Sequence, residues 1–394
     1  PGRQVMDALN IVQDPFIKEA PSIKNIEINS WTLEEVSQAI LGEGKLLKGK
    51  NRHKEIEELY KKDQQKLVDY NIKDSKLAYD ILEKTKTIDL AIERSQLTGL
   101  TIDRLNASIA AFDSLYIREA RKRGYASPST RYTTKEERIK GGYVMDSKPG
   151  IYHNLLVLDF KSLYPSIMKT FNIDPSSFIK DTKEKTKEKI VTAPNGAMFK
   201  NKDGILPEII TALHEAREKA KKEERELASY AIKIIMNSFF GILANPNCRY
   251  FSLDMANAIT SFARYIIQLT AQKIEEKRYK VIYSDTDSCF IDTKLEKAAA
   301  KSLGEELQEY INKFYNELVK EKYERKSYLE IEVKRLYISF MLPPIRDSEK
   351  GSKKRYAGLV EKRGKEELEV VGLEAIRGDW TEAAQEFQQQ LLLK

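Results

Sequence analysis

Val281-Ile282-Tyr283-Ser284-Asp285-Thr286-Asp287-Ser288-Cys289-Phe290-Ile291 places two carboxylates two residues apart between apolar, β-prone runs. The pattern predicts a β-hairpin with acidic residues at its tip. Residues two apart on an extended chain point the same way, so Asp285 and Asp287 can address one site. Crowding two carboxylates costs on the order of several kcal/mol unless a cation offsets them. Ser, Asp and Thr also make ordinary solvated turns, so the tip reads as chemistry only with a partner.

A partner stands upstream. The apolar run Leu155-Leu156-Val157-Leu158 ends on Asp159, as a buried strand delivering a carboxylate at its C-terminal end would. Phe160-Lys161-Ser162-Leu163-Tyr164-Pro165-Ser166 then forms a tight polar turn into Tyr-Pro. Carboxylates from two separate strand ends suit a pair of Mg²⁺ ions, which take few protein carboxylates and complete their shells with substrate phosphate oxygens. Two such ions about 3.5–4 Å apart serve both the attacking and the leaving oxygen. A strand-end cap is the plain alternative for Asp159.

Cations follow on helical patterns. Arg217 and Lys221 are four residues apart and share a face, as do Lys233 and Asn237 on the next helix. If the two helices run antiparallel, these groups can converge on one polyphosphate. Arg217 and Lys221 lie among Glu215, Glu218, Lys219, Lys222 and Glu223, which also describes a solvated face. Lys233 sits among Ile232, Ile234, Ile235 and Met236, where a lysine reaches for an anion. Further on, Gly351-Ser352-Lys353-Lys354-Arg355-Tyr356-Ala357-Gly358 sets cations beside an aromatic and small residues, a segment able to hold phosphates without reading sequence. A surface hairpin with spare lysines is its plain alternative.

The chain has 394 residues and a net charge of +7, enough for two or more domains and permissive of a polyanionic partner without demanding one. Cys248 and Cys289 are far apart in apolar contexts, which argues against a disulfide framework or thiolate metal site and fits a reducing compartment. No apolar run approaches the roughly 18 residues that span a bilayer, and no secretory signal opens the chain. Pro1-Gly2-Arg3-Gln4 reads as the middle of something. Periodicity predicts helices over 32–41, 54–82, 207–228, 229–243, 256–277 and 296–326, and a strand over 329–340. Residues 101–154 are mixed, with a Ser/Thr/Pro/Arg loop at 126–134 and a Gly141-Gly142 break; 180–189 read as a charged loop or exposed helix.

In their order, these segments resemble family B DNA polymerases. Asp159-x-x-Ser162-Leu163-Tyr164-Pro165-Ser166 is similar to motif A, Lys233-Ile-Ile-Met-Asn237-Ser-Phe-Phe240-Gly241 to motif B, and Tyr283-Ser-Asp-Thr-Asp-Ser288 to motif C. Lys353-Lys354-Arg355-Tyr356 resembles the basic palm motif that touches the primer. Gly141-Gly142-Tyr143 resembles the Tyr-Gly-Gly connector, without its first Tyr. Phe340-Met-Leu-Pro-Pro-Ile-Arg346, with Gly351-Ser-Lys-Lys-Arg-Tyr356 and Arg377-Gly-Asp-Trp380 behind it, looks most like the bacterial DNA polymerase II branch.

The resemblance implies an α/β (α+β) fold: a palm with a mainly antiparallel sheet, a two-helix fingers insertion, and the C-terminal remnant of a ribonuclease H-like exonuclease domain. The expected order is the end of a 3′–5′ exonuclease domain at 1–89, a connector at 90–154, palm at 155–204, fingers at 205–243, palm again at 244–372 and the start of a thumb at 373–394. It implies DNA-directed DNA polymerisation in replication or repair, with deoxynucleotides and primer-template DNA as partners and two Mg²⁺ ions, or Mn²⁺, as cofactors. Asp159, Asp287 and the Phe160 carbonyl would hold the metals, with Asp285 in support. Ser162, Leu163, Tyr164, Arg217, Lys221, Lys233 and Asn237 would bind the nucleotide, Tyr164 by packing under the sugar and excluding a 2′-hydroxyl. Phe240, Gly241, Thr286, Lys353, Lys354, Arg355 and Tyr356 would meet DNA.

Two departures from the family pattern stand out. Phe240 replaces a Tyr and removes a hydroxyl near the nascent base pair, and Ser284 replaces a Gly and is expected to tighten the turn beside the primer end. Tyr70-Asn-Ile-Lys-Asp74 resembles the third exonuclease motif and Leu41-Gly-Glu-Gly-Lys45 the segment before it, with no counterpart of the earlier acidic motifs upstream. Exonuclease activity is therefore not expected from this chain alone. A fragment or half of a split enzyme is expected, with another polypeptide or flanking sequence supplying thumb and exonuclease, and a sliding clamp as a further partner. The setting expected is cytoplasmic and nucleoid-associated, off the membrane. The rival reading is a primer-template-binding fragment inactive by itself.

Overall fold

The computed structural model describes residues 5–393 apart from 14–19, 21, 22, 24, 25, 27, 29, 48–51, 105, 106, 131–138, 140, 181–187, 346–350 and 363, together with the side chain of Asn10. The predicted charged loop at 180–189, the end of the 126–134 loop and Arg346 therefore fall largely outside the described residues. The chain divides into two compact units, Pro1–Ser127 with Thr211–Ile242, and Pro128–Ile210 with Leu243–Lys394.

The second unit is built on a sheet. Its strands are β1 (Gly150–Phe160), β2 (Phe178–Ile179), β3 (Ile190–Thr192), β4 (Met198–Lys200), β5 (Lys280–Asp285), β6 (Ser288–Asp292), β7 (Ile331–Leu342), β8 (Tyr356–Lys362) and β9 (Lys365–Val371). Six of them run in the order β5-β6-β1-β7-β8-β9, and every pairing is antiparallel. The small sheet β2-β4-β3 lies apart from it in the strand order. The expected α/β class with an antiparallel sheet is what the fold shows.

β1 lies in the middle of the six-stranded sheet. Leu155, Leu156, Val157 and Leu158 are buried, the continuous apolar run that burial on both faces requires. One face carries an aromatic cluster of Tyr283, Phe290, Tyr337, Phe340 and the half-buried Tyr356. Its ring centroids lie 4.9–6.4 Å apart, within the range of favourable aromatic pairs. Helices Leu253–Glu276 and Lys297–Tyr323 also pack on these strands. Ser252 caps the first of them, its side chain accepting from the Met255 amide. Gly304 lies so close to the sheet that a Cβ there would come within 3.0 Å of Leu156 and Val333.

The helix predicted to open at Pro207 opens at Ile205 instead. Asp174, fully buried, accepts from the Leu206 amide at 2.7 Å, and Asn172 accepts from Gly204 at 2.8 Å. These carboxylate and amide oxygens occupy amides that the first helical turn leaves without partners.

The first unit is helical in its described residues. It holds Leu33–Leu41, Arg52–Lys62, Gln64–Lys84, Thr87–Thr98 and Ser108–Lys122, together with most of the successive helices Ile205–Lys222 and Glu226–Leu243. Phe112 meets Phe239 edge-on at 5.3 Å, and Ala231 joins Leu90 and Ala91 in a core cluster. The helix Ser108–Lys122 falls in the stretch read as mixed. The expectation that no apolar run reaches bilayer length needs correction at Glu226–Leu243, which is long and apolar enough by length and composition and is half buried in the fold.

Candidate active site

The hairpin at 281–291 forms as its apolar, β-prone flanks predict. β5 and β6 pair with Asp285 opposite Ser288, leaving Thr286 and Asp287 as a two-residue turn. Thr286 takes φ +56, the left-handed region that such tight turns require. The Asp287 amide donates to the Asp285 carbonyl at 2.6 Å, and Thr286 Oγ1 donates to Asp285 Oδ1 at 3.1 Å.

β1 delivers Asp159 to this tip. Asp159 pairs with Ser288, and the Phe160 amide donates to the Asp287 carbonyl at 2.9 Å. Burial raises the Asp159 carboxyl despite the Lys334 ammonium pulling the other way. Burial, and then the neighbouring Asp159 charge, push the Asp287 carboxyl up to about 6. Both carboxylates are thus poorly solvated and mutually repulsive, the condition that a bound cation relieves. Their hard oxygen donors fit Mg²⁺ or Mn²⁺. Among the described residues no three His, Cys, Asp or Glu side chains gather as a metal cluster.

Asp285 has a different neighbour. Lys354 Nζ lies 3.2 Å from its Oδ1, while the Lys354 amide donates to the Tyr283 hydroxyl at 3.0 Å. Burial raises that hydroxyl to about 12, so it stays protonated. The basic segment is therefore split. Lys353 reaches Asp146 at 3.0 Å, Arg355 pairs with Glu374, and Tyr356 is spent in the aromatic core. Hydrogen bonds from Gln388 and the backbone, with Arg355 adding to them, hold the Glu374 carboxyl down at about 2. Of the predicted basic residues, Lys353 and Lys354 remain about half exposed or more.

Residues 143–145 run along the outer edge of β5. The Thr286 amide donates to Tyr143 and the Met145 amide to Ser284, each at 3.0 Å. This segment covers a sheet edge that would otherwise offer unpaired backbone groups. It also sets Gly142 against the site: a Cβ there would lie 3.1 Å from Thr286 Cγ2 and 3.4 Å from the Tyr164 hydroxyl. Tyr164 stands in the first turn of helix Leu163–Thr170, after Ser162 in the left-handed region at φ +47. Burial, and then the Asp287 charge, raise its hydroxyl. Leu163 is buried.

Ser284 does not lie in the turn. It sits within β5, buried, with an Oγ that has no hydrogen-bond partner. The departure therefore shows as a buried hydroxyl rather than a tightened turn, a cost of about 1–3 kcal/mol.

The helical cations lie in the first unit. Lys233, Asn237 and Gly241 form one exposed row at four-residue spacing on Glu226–Leu243, whose other faces are largely buried; Phe240 is partly exposed. Lys221 pairs with Glu218 at 2.6 Å. Burial lowers the Arg217 guanidinium from its ordinary value, and its Nε is buried without a hydrogen-bond partner. In the same unit Asp74 meets Lys45 at 2.5 Å, and Lys45 lies over the Tyr70 ring at 5.1 Å. Burial works against the Lys45 charge, but bonds to Asp74 and Tyr70 outweigh it and raise the ammonium.

Sequence reasoning missed Lys334. Its Nζ lies 2.6 Å from Asp159 Oδ2. Only the β1–β7 register, which sets Asp159 opposite Glu332, brings it there.

Residues 106–394 match the family model for DNA polymerase family B. The chain is similar over its whole length, at 38% identity, to DNA polymerase II of Escherichia coli (strain K12), of which it covers 49%. It is 32% identical to DNA polymerase 2 of Aeropyrum pernix over 77% of this chain and 36% of that protein. With DNA polymerase of Thermococcus gorgonarius it shares 28% over 94% of this chain and 47% of that one. The chain spans about half the length of the curated relatives it matches, or less. The similarity to the Escherichia coli protein accords with the expected likeness to the bacterial DNA polymerase II branch. The chain belongs to the family B DNA polymerases.

Proposed function

We propose that this chain carries the palm and fingers of a DNA-directed DNA polymerase, extending a primer 3′-hydroxyl with deoxynucleotides. The observation that carries the reading is the Asp159–Asp287 pair, held by the Phe160 amide on the Asp287 carbonyl and charged only at a cost that a cation removes. Asp159, Asp287 and the Phe160 carbonyl are the proposed holders of two Mg²⁺ ions, with Mn²⁺ as a substitute. When bound, those ions neutralise charge on the reacting oxygens during phosphoryl transfer.

The chain's own residues then position and exclude. Tyr164, whose hydroxyl lies beside Gly142, presents its ring as the surface under the incoming sugar and leaves no room for a 2′-hydroxyl. The backbone around Ser162 and Leu163, at the start of a helix, suits a phosphate group. Lys353 and Lys354 are themselves about half exposed or more, and their ion pairs with Asp146 and Asp285 leave the ammonium groups open to DNA phosphates. For Arg217, Lys221, Lys233 and Asn237 the proposal of triphosphate contacts, and for Phe240 and Gly241 that of DNA contacts, rests on the family resemblance. So do the domain boundaries and the assignment of Tyr70 and Asp74 to an exonuclease remnant.

A second reading, a primer-template-binding piece that does not polymerise, draws on the share of its relatives that the chain covers. Primer extension with the chain, Mg²⁺ and dNTPs separates the two. Extension supports the first reading. Salt-dependent binding of primer-template without extension supports the second, and degradation of the primer would contradict both.

A further inference from the structure

The rim of the acidic pair carries an unequal charge inventory. β7 sets Glu332 directly opposite Asp159, and Glu330 lies two residues before it. Lys161 is spent on those two glutamates, at 2.5 and 3.1 Å. Among the described residues the cation bonded to Asp159 is Lys334, two residues beyond Glu332 on the same strand, at 2.6 Å, while Arg335, which also bears on Asp159, pairs with Glu369. The two ends of this ion pair differ in environment. The Asp159 side chain is 13% exposed, whereas Lys334 is 49% exposed. A buried carboxylate has lost most of its water and needs the ammonium, while a half-exposed lysine is a mobile point charge that gives little up by leaving.

We propose that Lys334 is the resident counter-cation of the Asp159–Asp287 pair, a positioning residue that holds the carboxylates in place without metal and competes with divalent cations for them. The inference rests on the reading of this pair as a metal site. A divalent ion entering between the carboxylates must displace the ammonium from Asp159 Oδ2, so Lys334 sets the metal concentration at which the site fills. The displaced ammonium stays on β7 within reach of the same rim, where a phosphate-bearing ligand offers it a new partner.

The test is Mn²⁺ binding to the full chain without DNA, followed by electron paramagnetic resonance, together with thermal unfolding in EDTA. Lys334→Met and Lys334→Gln are expected to bind Mn²⁺ about tenfold more tightly than wild type, a modest share of what one nearby charge can contribute. Both are expected to melt lower in EDTA and to recover more than wild type when Mn²⁺ is added. Lys334→Arg keeps the cation and should stay near wild type in both measurements. Asp287→Ala distinguishes the two levels of the argument. If Asp287→Ala loses Mn²⁺ binding while the Lys334 variants bind as wild type does, the counter-cation role is wrong and the metal site stands. If Asp287→Ala binds Mn²⁺ unchanged, the metal-site reading fails and the inference with it.

Discussion

The Phe160 amide donates to the Asp287 carbonyl at 2.9 Å, joining the end of β1 to the tip of the β5–β6 hairpin. This bond ends the β1–β6 ladder, whose pairing from Leu155 with Asp292 to Asp159 with Ser288 sets the register of two acids that lie 128 positions apart in the chain. A slip of one residue in the β1–β6 pairing would turn Asp159 to the other face of the sheet.

Gly142 leaves little space between its backbone and this site. A Cβ there meets Thr286 at 3.1 Å and the Tyr164 hydroxyl at 3.4 Å, tight but not prohibitive. Gly142→Ala should therefore be tolerated with a mild loss. Gly142→Val should push Tyr164 and Thr286 aside and slow primer extension by about a hundredfold, the scale of a small misplacement at a reacting centre. Single-turnover extension with both variants checks this; equal rates would show that the contact does not position the site.

Tyr164→Ala should open the space under the sugar. The expected result is a rise of about a hundredfold or more in the ratio of ribonucleotide to deoxynucleotide incorporation, on the scale of roughly 3 kcal/mol. Competing rNTP and dNTP incorporation measures it. Unchanged discrimination would remove the steric role from Tyr164.

Asp174 ties the start of helix Ile205–Lys222 to the loop after Thr170. Its Oδ1 takes the Leu206 amide and its Oδ2 the Ser176 amide, both at 2.7 Å. Asp174→Ala leaves the buried Leu206 amide without its acceptor and frees the part-buried Ser176 amide, and should cost about 2 kcal/mol of stability. Urea unfolding monitored by circular dichroism gives the value; a change below about 0.5 kcal/mol would contradict the capping role.

Without metal, the fold favours protonated Asp287. A carboxyl raised from about 3.9 in the unfolded chain to about 6 contributes stability that is fully present below the unfolded value. That stability is lost as pH rises through about 6. Asp287→Asn does not titrate, so in EDTA its melting temperature relative to wild type should climb between about pH 4 and pH 7 and then level. Saturating Mg²⁺ should flatten the difference. A constant difference across that range in EDTA would mean the carboxyl is not raised.

Much of this was legible because the decisive segments are local. The hairpin announces itself through apolar flanks and a short polar tip, and β1 through four apolar residues ending on an acid. What was not legible depends on pairing at long range. Lys334 lies 175 positions from Asp159 and reaches it only through the β1–β7 register, which shifts at a bulge after Val157. Helix Ile205–Lys222 starts before its proline because Asp174 caps it from 32 positions away. Helix Ser108–Lys122 was hidden for a different reason. Of its four buried positions two are alanines, which mark a face weakly, and Ala107 offers no side-chain cap.

The most direct test compares primer extension by wild type, Asp159→Ala and Asp287→Ala on one primer-template, with binding of the same DNA measured in parallel. The two-carboxylate site predicts that both variants extend about a thousandfold more slowly or worse, roughly 4 kcal/mol, while binding DNA within about threefold of wild type. Extension by Asp287→Ala at the wild-type rate would contradict it.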